Sequence, residues 1–426
     1  MRAICAASAL CVLAACGSGS SGVSPSGSAS SSQSKHGSGS GPGSSSDASD
    51  EANAQGADDA GGQGQGDATT SSGGTDGAPM PVSQQALITI PNPIVSRGKP
   101  VTSSVGGSST VMGSKQPLST VNDGVFSIGD GFEAPVSAGT APWVAINVGA
   151  GPTRLMLTWL TEDQPNTPVK PPVDYHIDVS ADGSTWKTVV TVTGNDTNAR
   201  EDSFDFSGQS WVRIVTTKAD SSGSVHFVEV EAYDISKGHE DTWVFLGDSI
   251  TALAMNRMVS PDFATLINQS KSAFTPMVVD DAIGGTTTSD CLQNLSTSIA
   301  RFPDVDNFAV AYGTNDSWCD LSGAGVSDFK ANLTMIVDQL KAAGKRVIIP
   351  HIPWNQPSGC SMPTLLAPYN AAIDALRAAD PFFPGPDLYT FVSMHQNQLD
   401  DGVHPNDTGV ASFNTLWSQA VLPLYP

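Results

Sequence analysis

The sequence predicts a multidomain protein in which an all-β sandwich precedes an α/β domain. From residue 86 to 236, short alternating apolar runs are separated by turn signals such as Asp182-Gly183, with no helical period between them. Many short strands of this kind are typical of an all-β sandwich. From residue 237 to 426, apolar runs alternate with helical patterns, which predicts a parallel sheet covered by helices on both faces. The active site of such a domain lies at the carboxyl ends of its strands.

The spacing of apolar residues predicts the individual elements. In the first domain the predicted strands are residues 143–148, 154–160, 174–179, 187–193, 211–216 and 226–233. In the second domain they are residues 243–246, 277–280, 308–312, 346–350 and 388–392. One helical segment repeats apolar residues at i, i+4, i+7, i+8 and i+11, and its buried face is formed by Phe329, Leu333, Ile336, Val337 and Leu340. Residues 365–379 and 408–424 have similar helical patterns.

Composition distinguishes a third part of the chain from these two domains. The 426 residues include 42 Gly and 29 Pro, and only 39% are apolar. Residues 16–85 are mostly Ser, Gly, Ala and Asp, so they bury too little apolar surface to offset the entropy of ordering. We therefore predict a disordered linker there. The net charge of −22 argues against nucleic acid and anionic membrane surfaces as electrostatic partners.

The N-terminus has the pattern of an export signal. Met1-Arg2 is a short positive start, and the apolar residues 3–13 are too few to span a bilayer. Small residues then lead into Cys16, which resembles the lipobox of bacterial lipoproteins. The resemblance implies a signal peptide over residues 1–15 and an exported protein anchored by lipid on Cys16. Gly17 indicates the outer membrane, with the protein periplasmic or on the cell surface; an ordinary secretory signal is the alternative.

The cysteines that follow Cys16 are Cys291, Cys319 and Cys360. In an oxidising compartment they can form disulfides. Cys319 follows one predicted strand and Cys360 the next, so neighbouring loops at one sheet end would bring them together and leave Cys291 free. No C-x-x-C or H-E-x-x-H pattern supplies a zinc ligand set, and we predict neither a metal nor another cofactor.

Four short blocks in a fixed order supply the groups that an acyl-transfer site needs. The blocks are Gly247-Asp248-Ser249-Ile250-Thr251, Gly284-Gly285-Thr286-Thr287, Gly313-Thr314-Asn315-Asp316 and Asp401-Gly402-Val403-His404-Pro405. They provide a serine nucleophile, a glycine amide and a side-chain amide as oxyanion donors, and an Asp/His pair as orienter and base. The serine is not in a G-x-S-x-G motif, which disfavours the α/β-hydrolase fold.

On these blocks, residues 241–426 resemble the SGNH (GDSL-type) hydrolase family. The resemblance implies a three-layer, flavodoxin-like α/β fold. It also implies that Ser249 is the nucleophile, His404 the base and Asp401 the group that orients His404. The oxyanion hole would be formed by Ser249, Gly285 and Asn315.

Two of these assignments have competitors close by in the sequence. Gly284 competes with Gly285, and Asp400 competes with Asp401, although the i, i+3 spacing to the histidine favours Asp401. Three further side chains fall at predicted strand ends near the site and are candidates for the substrate pocket, with ordinary packing as the alternative: Trp318, His351 and Trp354.

The first domain has its own resemblance, to discoidin-like (galactose-binding-like) jelly rolls that many carbohydrate-binding modules share. The similar segments are residues 96–102, 121–124, 143–149, 180–186 and 225–233. Asn147 stands where that family often has Asp, and the usual Trp after Asp123-Gly124 is missing. The resemblance implies a jelly-roll sandwich and a possible carbohydrate-binding module.

Together these observations predict an exported, lipid-anchored serine esterase without a cofactor. A jelly roll in front of an SGNH domain resembles bacterial carbohydrate esterases, so we expect an acylated, in particular acetylated, carbohydrate or a small ester as substrate. We expect a monomer, with contact to a membrane only through the lipid. The alternatives are a lipase or arylesterase, an acyltransferase that shares the acyl-enzyme, and a glycan-binding lipoprotein with an inactive hydrolase domain.

Overall fold

The computed structural model describes residues 87–161 and 170–426. The predicted signal peptide, Cys16 and the predicted linker lie outside the described residues. All described residues belong to one compact unit. Among the helices in those two ranges, none combines the length and the apolar character that a bilayer-spanning segment needs.

The β-rich region, residues 87–236, contains antiparallel strands. In chain order they are β1 (Val101–Ser103), β2 (Ser108–Val111), β3 (Ser114–Pro117), β4 (Phe132–Pro135), β5 (Trp143–Asn147), β6 (Arg154–Leu160), β7 (Pro172–Ser180), β8 (Lys187–Val192), β9 (Ala199–Asp205), β10 (Trp211–Ala219), β11 (Ser224–Phe227) and β12 (Glu229–Asp234). A five-stranded sheet has the order β1-β5-β10-β7-β8, and a three-stranded sheet has the order β12-β6-β9. Two strand pairs, β2-β3 and β4-β11, complete the region.

The apolar side chains of the two larger sheets meet in one core. Val144 and Ile214 from the five-stranded sheet and Leu157 and Val230 from the three-stranded sheet belong to a single buried cluster. Trp159 packs edge-on against Tyr175 across this core, with ring centroids 5.7 Å apart. The two larger sheets therefore pack face to face through these apolar side chains.

The α/β region, residues 237–426, contains a five-stranded parallel sheet and seven α-helices. In chain order its elements are β13 (Thr242–Gly247), α1 (Ser249–Met255), α2 (Phe263–Ser270), β14 (Met277–Asp280), α3 (Thr288–Arg301), β15 (Asn307–Ala311), α4 (Val326–Ala342), β16 (Arg346–His351), α5 (Ala367–Ala379), β17 (Phe383–Asp387), α6 (Leu388–Met394) and α7 (Asp407–Val421). The strand order is β14-β13-β15-β16-β17.

Two buried clusters lie on opposite sides of the parallel sheet. The face of α4 formed by Phe329, Leu333, Ile336, Val337 and Leu340 is buried in one of them, as its spacing predicted. Trp417 of α7 and Phe263 of α2 belong to the other cluster, against Trp243 and Phe245 of β13. The domain is therefore layered, with helices on both faces of the sheet.

Two predicted strands differ from the structure. Residues 226–233 are not one strand, because Val228 separates β11 from β12 and these two belong to different sheets. Residues 388–392 begin a helix, α6, and the fifth strand is instead Phe383–Asp387 immediately before it. The Asp387 side chain accepts a hydrogen bond from the Thr390 backbone N–H at 3.0 Å, which caps the helix. Leu388 and Val392, four residues apart, are buried on one face of α6, so these apolar residues reflect the packing of a helix.

The β-rich region packs closely on the α/β region. Met156, Leu160 and Tyr233 of the three-stranded sheet belong to the same buried cluster as Leu295 and Phe302 of the α/β region. This sheet is therefore buried on both faces, one against the β-rich core and one against the α/β region.

Candidate active site

Three of the four polar blocks follow neighbouring parallel strands, and the fourth lies in the segment before α7. Ser249 is the first residue of α1 and comes two residues after the end of β13. Gly285 lies between β14 and α3, and Asn315 follows β15. Asp401 and His404 lie in the segment before α7. Because the strands are parallel and adjacent, the loops after β13, β14 and β15 gather at one edge of the sheet.

A chain of two hydrogen bonds joins Ser249, His404 and Asp401. The Ser249 Oγ lies 2.8 Å from His404 Nε2, and His404 Nδ1 lies 2.7 Å from Asp401 Oδ2. The serine and histidine are 155 residues apart in sequence, so this contact depends on the whole α/β fold. A hydroxyl, an imidazole and a carboxylate in this order can transfer the serine proton to the imidazole and stabilise the resulting cation.

Asp401 is held in place by backbone donors as well as by the imidazole. Its Oδ1 accepts hydrogen bonds from the backbone N–H groups of Val403 at 3.0 Å and His404 at 2.8 Å. Partial burial raises the pKa of Asp401, but the hydrogen bonds and charge interaction with His404 and the Val403 N–H outweigh it and lower the pKa below its usual value. Asp401 is therefore a carboxylate at neutral pH. Asp400, the competing residue, contacts His404 only through its own backbone N–H, which donates to the His404 carbonyl at 2.9 Å.

Gly285 and Asn315 lie beside each other at this edge. The Asn315 Nδ2 donates to the carbonyl of Thr286 at 2.9 Å, which places the amide next to the glycine. Gly285 has a φ of +77°, a left-handed conformation that favours glycine, and a Cβ there would point into open space. The sequence could not identify the Thr286 carbonyl as the partner of Asn315, because every residue has a backbone carbonyl.

Residues 245–411 match the family of GDSL-like lipases and acylhydrolases. This region of the chain is a GDSL-type acylhydrolase domain. Comparison with curated protein sequences finds no match.

Comparison with solved structures finds several that are similar to parts of this chain. The lipase/acylhydrolase from Enterococcus faecalis is 24% identical, covering 42% of this chain and 95% of that one, with a TM-score of 0.36. An acetylxylan esterase from Geobacillus stearothermophilus is 17% identical, covering 44% and 95%, with a TM-score of 0.35. A protein from Bacillus subtilis is 16% identical, covering 68% and 86%, with a TM-score of 0.39.

Asp248 is the N-cap residue of α1 and directly precedes Ser249. Its side chain is buried and accepts a hydrogen bond from the Ile250 backbone N–H at 3.0 Å, which caps α1 directly beside Ser249. Burial raises the pKa of Asp248 to about 7, against the opposing effect of the Ile250 hydrogen bond. A second acid, Asp316, accepts the Thr288 backbone N–H at 3.1 Å and so ties the Asn315 loop to the start of α3.

The three predicted pocket residues have different surroundings. Trp318 is 46% exposed, and its backbone N–H donates to the Asn315 carbonyl at 3.3 Å. The ring nitrogens of His351 face two carboxylates, Asp387 at 3.2 Å and Asp374 at 3.1 Å. Trp354 packs against the buried cluster around β13. Of the three, only Trp318 combines a large exposed apolar surface with a contact to a block residue.

The structure joins Cys319 to Cys360 in a disulfide, with Cα atoms 5.4 Å apart, and leaves Cys291 as a buried thiol. Burial raises the pKa of the Cys291 thiol to about 12, so it is unreactive at neutral pH. The disulfide begins at the residue after Trp318 and therefore restrains the loop that carries the exposed indole.

Proposed function

We propose that the acylhydrolase domain hydrolyses esters through an acyl-enzyme on Ser249. The observation that carries this proposal is the hydrogen-bonded chain from Ser249 Oγ through His404 to Asp401, at 2.8 and 2.7 Å. Ser249 Oγ attacks the ester carbonyl as His404 Nε2 takes its proton, and His404 then returns that proton to the leaving alcohol. Water, deprotonated by the same imidazole, releases the acid and restores the serine.

The negative charge on the carbonyl oxygen would be stabilised by three donors. They are the backbone N–H groups of Ser249 and Gly285 and the side-chain amide of Asn315. What supports this role for Asn315 is its bond to the Thr286 carbonyl, since that bond uses one amide hydrogen and leaves the other for a substrate. The exposed, left-handed Gly285 presents its backbone at the same edge.

The substrate that we propose is an acetylated carbohydrate. Two observations support it: the β-rich region resembles carbohydrate-binding jelly rolls, and the exposed indole of Trp318 lies three residues from Asn315. An indole combines a broad apolar face with a polar N–H, which suits the faces and hydroxyls of a sugar ring. Trp318→Ala should therefore raise KM for an acetylated polysaccharide more than KM for p-nitrophenyl acetate.

Release of acetate from a panel of acetylated polysaccharides and short acyl esters tests the proposal. We expect the wild type to release acetate and Ser249→Ala to release none above background, with the exposed Ser289→Ala as matched control. Preference for long acyl chains on small alcohols would favour a lipase. Transfer of the acetyl group to an added alcohol in place of hydrolysis would favour an acyltransferase. Glycan binding without hydrolysis of any ester would favour an inactive binding protein.

We also propose that the chain is exported and anchored by lipid on Cys16. The N-terminal pattern supports this, and the Cys319–Cys360 disulfide suits an oxidising compartment. Labelling of cells with a radioactive fatty acid should mark the wild type and not Cys16→Ser. Equal labelling of both proteins would contradict the lipid anchor on Cys16 and would leave the proposed esterase activity unaffected.

A further inference from the structure

The segment that follows the nucleophile helix contains a buried arginine. Arg257 lies two residues beyond the end of α1, whose first residue is Ser249. Its backbone has a φ of +66°, and only 8% of its side chain is exposed. Nε donates to Asp262 Oδ2 at 2.6 Å, and Nη1 donates to Glu231 Oε2 at 2.8 Å. A buried charge needs such partners, because an isolated one is costly.

The two carboxylates belong to different regions of the protein. Asp262 caps α2 in the α/β region, where it accepts the Thr265 backbone N–H at 2.8 Å. Glu231 lies on β12 of the β-rich region, and its side chain is 2% exposed. The guanidinium also lies 3.9 Å from the ring centroid of Phe126, which is in the β-rich region as well. Arg257 therefore fastens the end of α1 to the β-rich region.

The end of α1 and the start of α2 also contact α7, the helix that follows His404. The Asn414 side chain of α7 donates to the carbonyl of Ala254, near the end of α1, at 2.8 Å. It accepts the Phe263 backbone N–H, at the start of α2, also at 2.8 Å. The far end of α1 is thus bonded both to α7 and, through Arg257, to the β-rich region.

We propose that Arg257 is a positioning residue for the esterase and that the β-rich region is part of the catalytic unit. The inference rests on the proposed function. Helix α1 has only seven residues, a length of about 10 Å, so a displacement at its end is passed to Ser249 at its start. Misplacing a reacting group by about 1 Å can lower a rate by about 10²-fold.

Arg257→Met and Arg257→Lys, made in the full chain, test this role. We would measure kcat, KM and the rate at which a fluorophosphonate labels Ser249, well below each variant's unfolding temperature. The matched control is Asp304→Asn, which removes another ion pair between the regions, Arg154–Asp304 at 2.6 Å, without touching α1. Glu231→Gln provides a second disruption of the same contact if Arg257→Met does not fold.

We expect Arg257→Met to lower kcat and the labelling rate by about 10-fold to 100-fold, with KM changed by less than about twofold. Arg257→Lys should lie between Met and the wild type, because a lysine keeps the charge and cannot bridge both carboxylates. Asp304→Asn should keep the wild-type kcat. Unchanged labelling in folded Arg257→Met and Glu231→Gln, or an equal loss in Asp304→Asn, would overturn the positioning role. A wild type whose Ser249 is never labelled would overturn the proposed function itself.

Discussion

Replacing Asn315 by alanine separates two contributions that its amide makes. The Nδ2 group bonds the Thr286 carbonyl at 2.9 Å, and a hydrogen bond of this kind contributes about 1 kcal/mol to stability. In the proposed oxyanion hole the second amide hydrogen would bind the substrate oxyanion and would be worth about 10²–10³ in kcat. Asn315→Ala should therefore lose about two to three orders of magnitude in kcat and little stability.

The assay is steady-state hydrolysis of p-nitrophenyl acetate together with urea unfolding. Asn332→Ala is the matched control, because this half-buried asparagine also donates a side-chain hydrogen bond near the site, to Thr288 Oγ1 at 3.3 Å. Thr288 is the first residue of α3 and itself bonds to Asp316. Asn332→Ala should keep nearly all of the wild-type kcat. If folded Asn315→Ala keeps more than about a tenth of the wild-type kcat, the oxyanion role is refuted, since that loss is far below what one donor contributes.

The remaining predictions concern the acids and the disulfide. Asp401→Ala should lower kcat by about 10²–10³, less than the about 10⁴ seen for a buried aspartate, because 49% of its side chain is exposed to water. Because the pKa of Asp248 is raised to about 7, its protonated carboxyl is favoured in the folded protein. Its contribution to the unfolding free energy is complete below about pH 4 and is lost as the pH rises through about 7. The urea stability of Asp248→Asn relative to wild type should therefore increase over that range; parallel curves would contradict it. Replacing Cys319 and Cys360 by serine should lower the unfolding free energy by about 4 kcal/mol, measured the same way, since they close a 41-residue loop.

Apolar spacing predicted many of the elements because their apolar residues face a core. The face of α4 from Phe329 to Leu340 is an example. Apolar spacing did not predict β1 to β4 or β9. It gave no sign of β17 either, because Pro384, Gly385 and Pro386 are poor strand formers. At the edge of the sheet a missing N–H is tolerated, and Gly385 is needed there because a Cβ would lie 2.7 Å from the Pro350 nitrogen.

The polar blocks were recognisable because acyl transfer needs particular residue types at strand ends. Arg257 could not be recognised in this way, because a single arginine has no pattern of its own. Its partner Glu231 lies 26 residues earlier, in a region that the sequence assigns to a separate domain. Only the packing of the two regions brings these side chains together.

Capture of the acyl-enzyme tests the central claim most directly. Acid quenching during turnover of an activated acetyl ester, followed by peptide mass spectrometry, should find one acetyl group on the peptide that contains Ser249. His404→Ala should abolish this adduct, because nothing then accepts the serine proton. An acetyl group on another residue, or rapid hydrolysis with Ser249 never modified, would contradict the account.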